Sequence, residues 1–304
     1  MTLPGLPPEV ASQVEEVLGP LESLERVGGG CIHPAGRLRT HHGAAAFLKW
    51  SAETGPAGFG VEARGLEALA ARGGVPVPRV LGVQDGTDHI PGWLLLEWIE
   101  PGSAGPETAR KLGGGLAHLH RPLGPDDHWP AHPGWEEDGW IATLPQPNPD
   151  GLDWPGFWAR ARIEPQWRRA REAGAFPRAE DGAMDRLLAR MDEALDGWEA
   201  DGICLLHGDL WSGNVHVARS GTPHLVDPAV YRGHREVDLA MLELFGGFGD
   251  PFHAAYREAA PLAPGHRRRR DVYQLYPLLV HVNLFGGGYT DRALSALTGA
   301  LAGF

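Results

Sequence analysis

The sequence changes character at Glu100-Pro101-Gly102, and this change constrains the fold more than any other feature. Before it, short apolar runs are separated by Gly, His and Asp turn signals; after it, apolar residues recur at helical spacing. The first part predicts strands at residues 24–27, 31–39, 45–50, 80–83 and 93–99, with a short helix ahead of them at 8–18. One further helix is expected at 58–72, stopped by Gly73-Gly74. The second part predicts helices at 107–120, 154–173, 184–198, 236–245, 268–285 and 291–301, interrupted by short strands near 204–206, 214–217 and 224–226. Strands first and helices second predict an α+β fold of two lobes, residues 1–99 and 100–304. A site in the cleft between such lobes is the default expectation.

The helical part contains the run His207-Gly208-Asp209-Leu210-Trp211-Ser212-Gly213-Asn214, with Asp227 thirteen residues past Asn214. A carboxylate, an amide and a second carboxylate at this spacing are what phosphoryl-transfer enzymes of the protein-kinase-like fold use for a hydroxyl and a nucleotide-bound Mg²⁺. Gly208 and Gly213 permit the tight loop this requires. Asp209 is then the catalytic base or orienting acceptor for the hydroxyl. Asn214 and Asp227 offer the one neutral and one charged oxygen that suit Mg²⁺, whose other positions go to phosphate and water. The competing reading, two capped turns with local Asp and Asn hydrogen bonds, accounts for each residue alone but less well for the ordered set.

Among 27 basic residues only Lys49 and Lys111 are lysine. Lys111 falls on the solvated face of an amphipathic helix. Lys49 lies inside the apolar run Ala45-Ala46-Phe47-Leu48-Lys49-Trp50 and needs a partner. On the helix at 58–72, Glu62, Leu66 and Leu69 fall at i, i+4 and i+7, which puts Glu62 on the stripe facing the sheet. A carboxylate unpaired there is costly, and Lys49 is the available cation. A strand lysine held by a helix glutamate is how a kinase grips the α and β phosphates of ATP. The alternative places Glu62 in an exposed first turn, where acids are favoured. Gly28-Gly29-Gly30, ahead of Lys49, can let backbone approach phosphate or can be only a turn. At the end of the last strand, the Glu97 carbonyl and Ile99 amide are the expected adenine contacts.

A formal charge of -12 argues against nucleic acid or an anionic membrane as the main partner. No stretch reaches the roughly 20 apolar residues of a bilayer span, and Met1-Thr2-Leu3-Pro4-Gly5 lacks a secretory pattern, so a cytoplasmic location is expected. Cys31 and Cys204 are too few for a disulfide framework and lack zinc spacing. Residues 129–153, rich in Pro, Gly and Trp, are too long for an ordinary connector and read as a functional or partner-facing loop.

Residues 205–214, LLHGDLWSGN, followed by VDPAVYRGHREVDLAMLELFGGF at 226–248, resemble the fructosamine kinase (ketosamine-3-kinase) family. GGGCI at 28–32, FLKW at 47–50, VEARGLEAL at 61–69, GWEEDGWIATLPQPN at 134–148 and LFGGGY at 284–289 resemble family segments in the same order, so the likeness covers nearly the whole chain. Trp211-Ser212 separates it from aminoglycoside and choline kinases, whose loop more often reads HGDxHxxN. The resemblance implies ATP-dependent phosphorylation of a ketosamine at its 3-hydroxyl, after which the adduct decomposes and frees the amine.

It assigns Asp209 as catalytic, Asn214 and Asp227 as Mg²⁺ ligands, and Lys49 with Glu62 as the phosphate clamp. It places Trp211 against the sugar, although a core aromatic is an equal reading, and makes Gln146 and Asn148 candidates for polar substrate contacts. Asp238 is expected to brace the catalytic loop through backbone hydrogen bonds. His33 stands where family members more often have a small polar residue. A cysteine at the position of Cys31 implies a monomer able to form a redox-sensitive homodimer, or simply a small residue filling strand space.

A protein kinase does not fit: the loop has no HRD arginine, Pro228-Ala229 follows Asp227 where Phe-Gly is required, and no APE motif occurs. Two alternatives stay open, a kinase of the same fold acting on an aminoglycoside, choline or a simple sugar, and a nucleotide-binding sensor without catalysis.

Overall fold

The structure, a computed structural model, describes residues 3–28, 33–55 and 58–303. It divides into two compact units: residues 1–108 with 213–228, and residues 109–212 with 229–304.

The first unit opens with α1 (Pro8–Leu18), then β1 (Leu21–Arg26), β2 (Ala35–Thr40), β3 (Ala45–Thr54), α2 (Phe59–Arg72), β4 (Val80–Gln84) and β5 (Pro91–Glu97). The strands form one sheet in the order β1-β2-β3-β5-β4, every neighbouring pair antiparallel. Alternation along the strands sorts the side chains to its two faces. Leu48 and Trp50 of β3 join Trp93 and Leu95 of β5 in a cluster with Val10 and Val14 of α1. Leu94 and Leu96, with Phe47 packed beside them, join Phe59, Ala63 and Leu66 of α2 in a second cluster. Each fully buried leucine here is worth roughly 1.5–3 kcal/mol of transfer free energy. Lys49 shares the strand parity of Phe47 and so lies on the α2 side. Gly73, at φ 75, ends α2 where the sequence placed its stop.

The second unit begins within α3 (Pro106–Leu119), followed by the hairpin β6 (Gly139–Ile141) and β7 (Leu144–Gln146). A continuous helical stretch comes next: α4 (Trp154–Phe157), a π-helical turn (Trp158–Ile163) and α5 (Glu164–Glu172). The sequence predicts one plain helix there. Trp154, Phe157 and Trp158 along this stretch are all at 0% exposure, and Trp154 and Trp158 donate from Nε1 to the Tyr273 hydroxyl and the Val272 carbonyl. Then come α6 (Asp181–Ala189), α7 (Met191–Ala194) and β8 (Cys204–Leu206), and, after the hairpin of β9 (Val215–Val217) and β10 (Pro223–Leu225) that belongs to the first unit, β11 (Tyr231–Gly233). The chain ends with α8 (Glu236–Leu244), α9 (Asp250–Ala259), α10 (His266–Phe285) and α11 (Tyr289–Ala302). The sequence analysis does not expect α9, which follows Gly249 and carries Pro251 in its first turn, where the missing N–H costs nothing.

The division differs from the expected 1–99 and 100–304. The hairpin of β9 and β10 belongs with the first unit because backbone bonds tie it there. Gly102 N donates to Val217 O at 2.8 Å, Arg219 N to Glu100 O at 2.8 Å, and Leu225 N to Pro76 O at 2.9 Å. Among the described residues, no helix is long and apolar enough to cross a membrane.

Candidate active site

In the first unit, Lys49 Nζ lies 2.7 Å from Glu62 Oε1 and 2.6 Å from Asp227 Oδ1. Burial opposes the charge on the lysine, but the two carboxylates outweigh it and raise its pKa. Burial also raises the pKa of Glu62; Lys49 pulls it down and the Asp227 charge pushes it up. Two carboxylates thus share one ammonium, leaving an excess negative charge. The Asp227 side chain is 40% exposed, so this charge faces an open side.

The β9–β10 hairpin sets the other member of the group. Val226 N donates to Asn214 O at 3.0 Å, which places Asn214 across from the residue before Asp227. The Asn214 amide nitrogen is 3.5 Å from the Asp227 carbonyl. Asp227 itself has φ 54, a left-handed conformation unusual outside glycine and common at functional turns. An amide oxygen donor, an exposed carboxylate and surplus negative charge fit a hard divalent cation such as Mg²⁺.

At the expected hinge, Glu97 N donates to Arg79 O at 2.9 Å, and the Ile99 carbonyl accepts from His216 Nε2 at 3.0 Å. Of the glycine loop, Gly28 is described and has open space around it, while Gly29, Gly30 and Cys31 lie outside the described residues. His33 packs on Phe59 with ring centroids 4.8 Å apart, and burial, then the charge of Lys49, lowers its pKa.

The second unit holds Asp209 and Trp211. Asp238 is fully buried; its Oδ2 accepts from His207 N at 2.8 Å and its Oδ1 from Gly208 N at 3.0 Å. His120 Nε2 stands 3.1 Å from the same carboxylate, and His120 Nδ1 is 2.9 Å from the Tyr256 hydroxyl. Burial raises the pKa of Asp238, but the bonds from His120 and the backbone lower it further, so it is ionised. Burial lowers the pKa of His120, so the imidazole is neutral, donating from Nε2 and accepting at Nδ1. Asp209 N donates to His207 Nδ1 at 3.3 Å. Gly208 has φ 83, and a Cβ there would meet the Ala229 carbonyl at 2.0 Å, so the turn before Asp209 requires glycine.

Trp211 is 37% exposed and meets Phe245 edge-on, with centroids 6.4 Å apart. It is therefore a surface ring and not a core one. Gln146 and Asn148 are placed differently from the sequence expectation. Gln146 is 1% exposed, donates to Ala229 O at 3.2 Å and accepts from the Tyr276 hydroxyl at 3.0 Å. Asn148 donates to Glu137 O at 2.8 Å and accepts from Arg162 at 2.9 Å. Both are spent on internal bonds. The family resemblance alone made them candidates for substrate contact, and their partners Tyr276 and Arg162 are brought to them only by the fold.

Sequence reasoning also missed His120, Tyr256 and Arg162. Arg162 is a fully buried guanidinium under the Tyr231 and Phe157 rings, at 4.0 and 4.6 Å. Its only sequence signal is an arginine inside an aromatic helical run. A trio of half-buried Asp201 with buried His234 and Glu236 has metal-like spacing, but its atoms are already engaged. Asp201 binds His234 and Arg235, His234 binds the Tyr273 hydroxyl, and Glu236 pairs with Arg269 through both oxygens.

The signature of fructosamine kinases matches residues 7–302. A probable ketoamine kinase of Synechocystis sp. is 38% identical over 292 residues, covering 95% of this chain and 94% of the relative. A chloroplastic protein-ribulosamine 3-kinase of Oryza sativa subsp. indica is 35% identical over 279 residues, covering 91% and 78%. A crystal structure of a Thermobifida fusca protein assigned as a fructosamine-3-kinase superposes with a TM-score of 0.85 at 35% identity, covering 96% of this chain and 98% of that one. The aminoglycoside phosphotransferase APH(4)-Ia, at 16% identity, covers 97% of each chain with a TM-score of 0.60 and shares the fold. The chain belongs to the fructosamine kinase family.

Proposed function

We propose that the chain is an ATP-dependent kinase that phosphorylates the 3-hydroxyl of ketosamines, sugars joined through a ketoamine to small or protein-borne amines. Family membership supports the reaction class, and the Lys49–Glu62–Asp227 cluster is the observation that carries the nucleotide half of it. Lys49, kept charged by its two carboxylates, contacts phosphate oxygens of ATP. Asn214 and Asp227 hold Mg²⁺, which when bound neutralises charge building on the phosphates. Asp209 accepts the proton of the acceptor hydroxyl as its oxygen bonds to the γ-phosphorus and the bond to ADP breaks. Asp238 and His120 fix the backbone leading to Asp209, so that carboxylate needs little reorganisation during transfer.

ADP release with Mg²⁺ and ATP should be followed across fructoselysine, ribuloselysine, free sugars, choline and an aminoglycoside. Ketosamine-dependent turnover that disappears in Asp209→Asn is the expected outcome. Preference for a free sugar over every ketosamine would overturn the substrate class, and tight ATP binding without turnover would point to a sensor.

A further inference from the structure

Arg257 of α9 and Arg267 and Arg270 of α10 line a cavity of about 160 Å³ formed by these helices and α8. All of its walls belong to the second unit. Arg267 and Arg270 stand three residues apart and so share a helix face. Among the described residues, neither Arg257 nor Arg267 takes part in an ion pair, and Arg270 reaches only its neighbour Asp271, at 3.4 Å. Three guanidinium groups around one space repel one another, and folding bears that cost.

Two carboxylates also line the cavity, but neither offsets this repulsion fully. Glu236 is neutralised by Arg269, which holds both of its oxygens. Glu243, among the described residues, pairs with none of the three arginines. Three cations against this one uncommitted carboxylate leave two positive charges in surplus, on a chain whose formal charge is -12. His253 and His266 add ring nitrogens that can hydrogen-bond. Tyr256 supplies a fixed wall: it is 2% exposed, and its hydroxyl is held 2.9 Å from His120 Nδ1. A preformed cavity with convergent polar groups is the usual form of a small-molecule site.

We propose that this cavity binds the phosphate dianion of a small molecule at a site separate from phosphoryl transfer. None of the residues assigned above to ATP, Mg²⁺ or the acceptor hydroxyl lines it. A phosphomonoester carries a charge of about -1.5 to -2 at neutral pH, which matches the surplus. Guanidinium forks take phosphate oxygens two at a time, and each such bond is strengthened by both charges. The space is well beyond the roughly 10–15 Å³ that one water needs, so a phosphate can enter with a compact body such as a sugar attached. Three cations converging on one cavity, and not spaced along a stripe, suit a small phosphate and not a polyanion backbone. The site does not depend on which hydroxyl the enzyme phosphorylates.

Thermal unfolding should be followed with inorganic phosphate, fructose 6-phosphate, fructose and acetate, with chloride holding the ionic strength constant. Both phosphates are expected to raise the melting temperature by about 2–4 °C at about ten times their dissociation constants, and fructose and acetate to leave it unchanged. A larger response to fructose 6-phosphate than to inorganic phosphate at equal concentration assigns the cavity to an organic phosphate; an equal or smaller one assigns it to the free anion. Arg257→Ala combined with Arg267→Ala should weaken phosphate binding by about tenfold or more while leaving kcat without added phosphate unchanged, and the corresponding double lysine variant should keep part of the binding. Lys49→Met, altered at the ATP site, should respond as the wild type does. No wild-type response to either phosphate would overturn the proposal. So would a response that survives in the double alanine variant; if it vanishes in Lys49→Met instead, the phosphate sits at the ATP site.

Discussion

Lys49 on β3 and Asp227, 178 residues later, are joined by a 2.6 Å ion pair, and Glu62 holds the same ammonium from α2. The strand, the helix and the turn after β10 are thereby fixed to one point, with more negative than positive charge around it. This arrangement serves little structural purpose that an apolar trio of similar volume would not serve better. It suits a site that meets phosphates and a divalent cation.

Lys49→Met should lower kcat/KM by about 10²–10³-fold, the usual loss when one preorganised electrostatic contact to a transferring group is removed. Glu62→Gln should cost less, because Asp227 still anchors the lysine. Turnover with saturating and limiting ATP checks both; a Lys49→Met enzyme within a few-fold of wild type would contradict the assigned role.

Stability should fall as pH drops through about 6.5. His120 has a lowered pKa in the folded chain through burial, so the unfolded chain takes up its proton first and gains from acid. His33, His224 and His281, also lowered by burial, act in the same direction. Asp238, depressed in the folded state, adds a further loss only below about pH 4, where the unfolded carboxylate protonates. Melting temperature measured from pH 8 to 5 should decline, and His120→Gln should flatten the profile. A melting temperature rising toward pH 5 would contradict this.

Gly208→Ala should destabilise the chain by more than about 2 kcal/mol, since the new Cβ meets the Ala229 carbonyl at 2.0 Å in a left-handed backbone. Urea denaturation measures the loss, and any folded fraction should have reduced kcat because Asp209 follows directly.

Gln146→Leu should reduce stability by about 1–3 kcal/mol by stranding the Tyr276 hydroxyl and the Ala229 carbonyl. Its effect should appear in the unfolding midpoint, with no selective rise in KM for the acceptor. A large acceptor-specific KM effect in a fully stable variant would make Gln146 an acceptor contact, the role the family resemblance implies.

Where local pattern decides, the sequence was readable. The i, i+4, i+7 stripe of α2 and a rare lysine in an apolar strand were enough to pair Lys49 with Glu62. The Lys49 bond to Asp227 was not readable, because only tertiary folding brings the turn after β10 to β3. The same limit hid the attachment of the β9–β10 hairpin to the first unit, which rests on backbone bonds to Glu100, Gly102 and Pro76. Gln146 and Asn148, which the family resemblance offers as substrate contacts, bond instead to Tyr276 and Arg162, residues that no local pattern pairs with them. Helix α9 was not expected; its Pro251, a residue that would break a helix in the middle, is an ordinary first-turn residue.

The central claim is tested most directly by incubating the enzyme with Mg²⁺, ATP and fructoselysine and locating the transferred phosphate by ³¹P NMR, with Asp209→Asn alongside. A phosphate ester at the sugar's 3-position, formed by the wild type and absent with the variant, is the predicted result. Phosphate transfer that persists at full rate in Asp209→Asn, or that occurs only on an acceptor lacking the ketoamine, would contradict it.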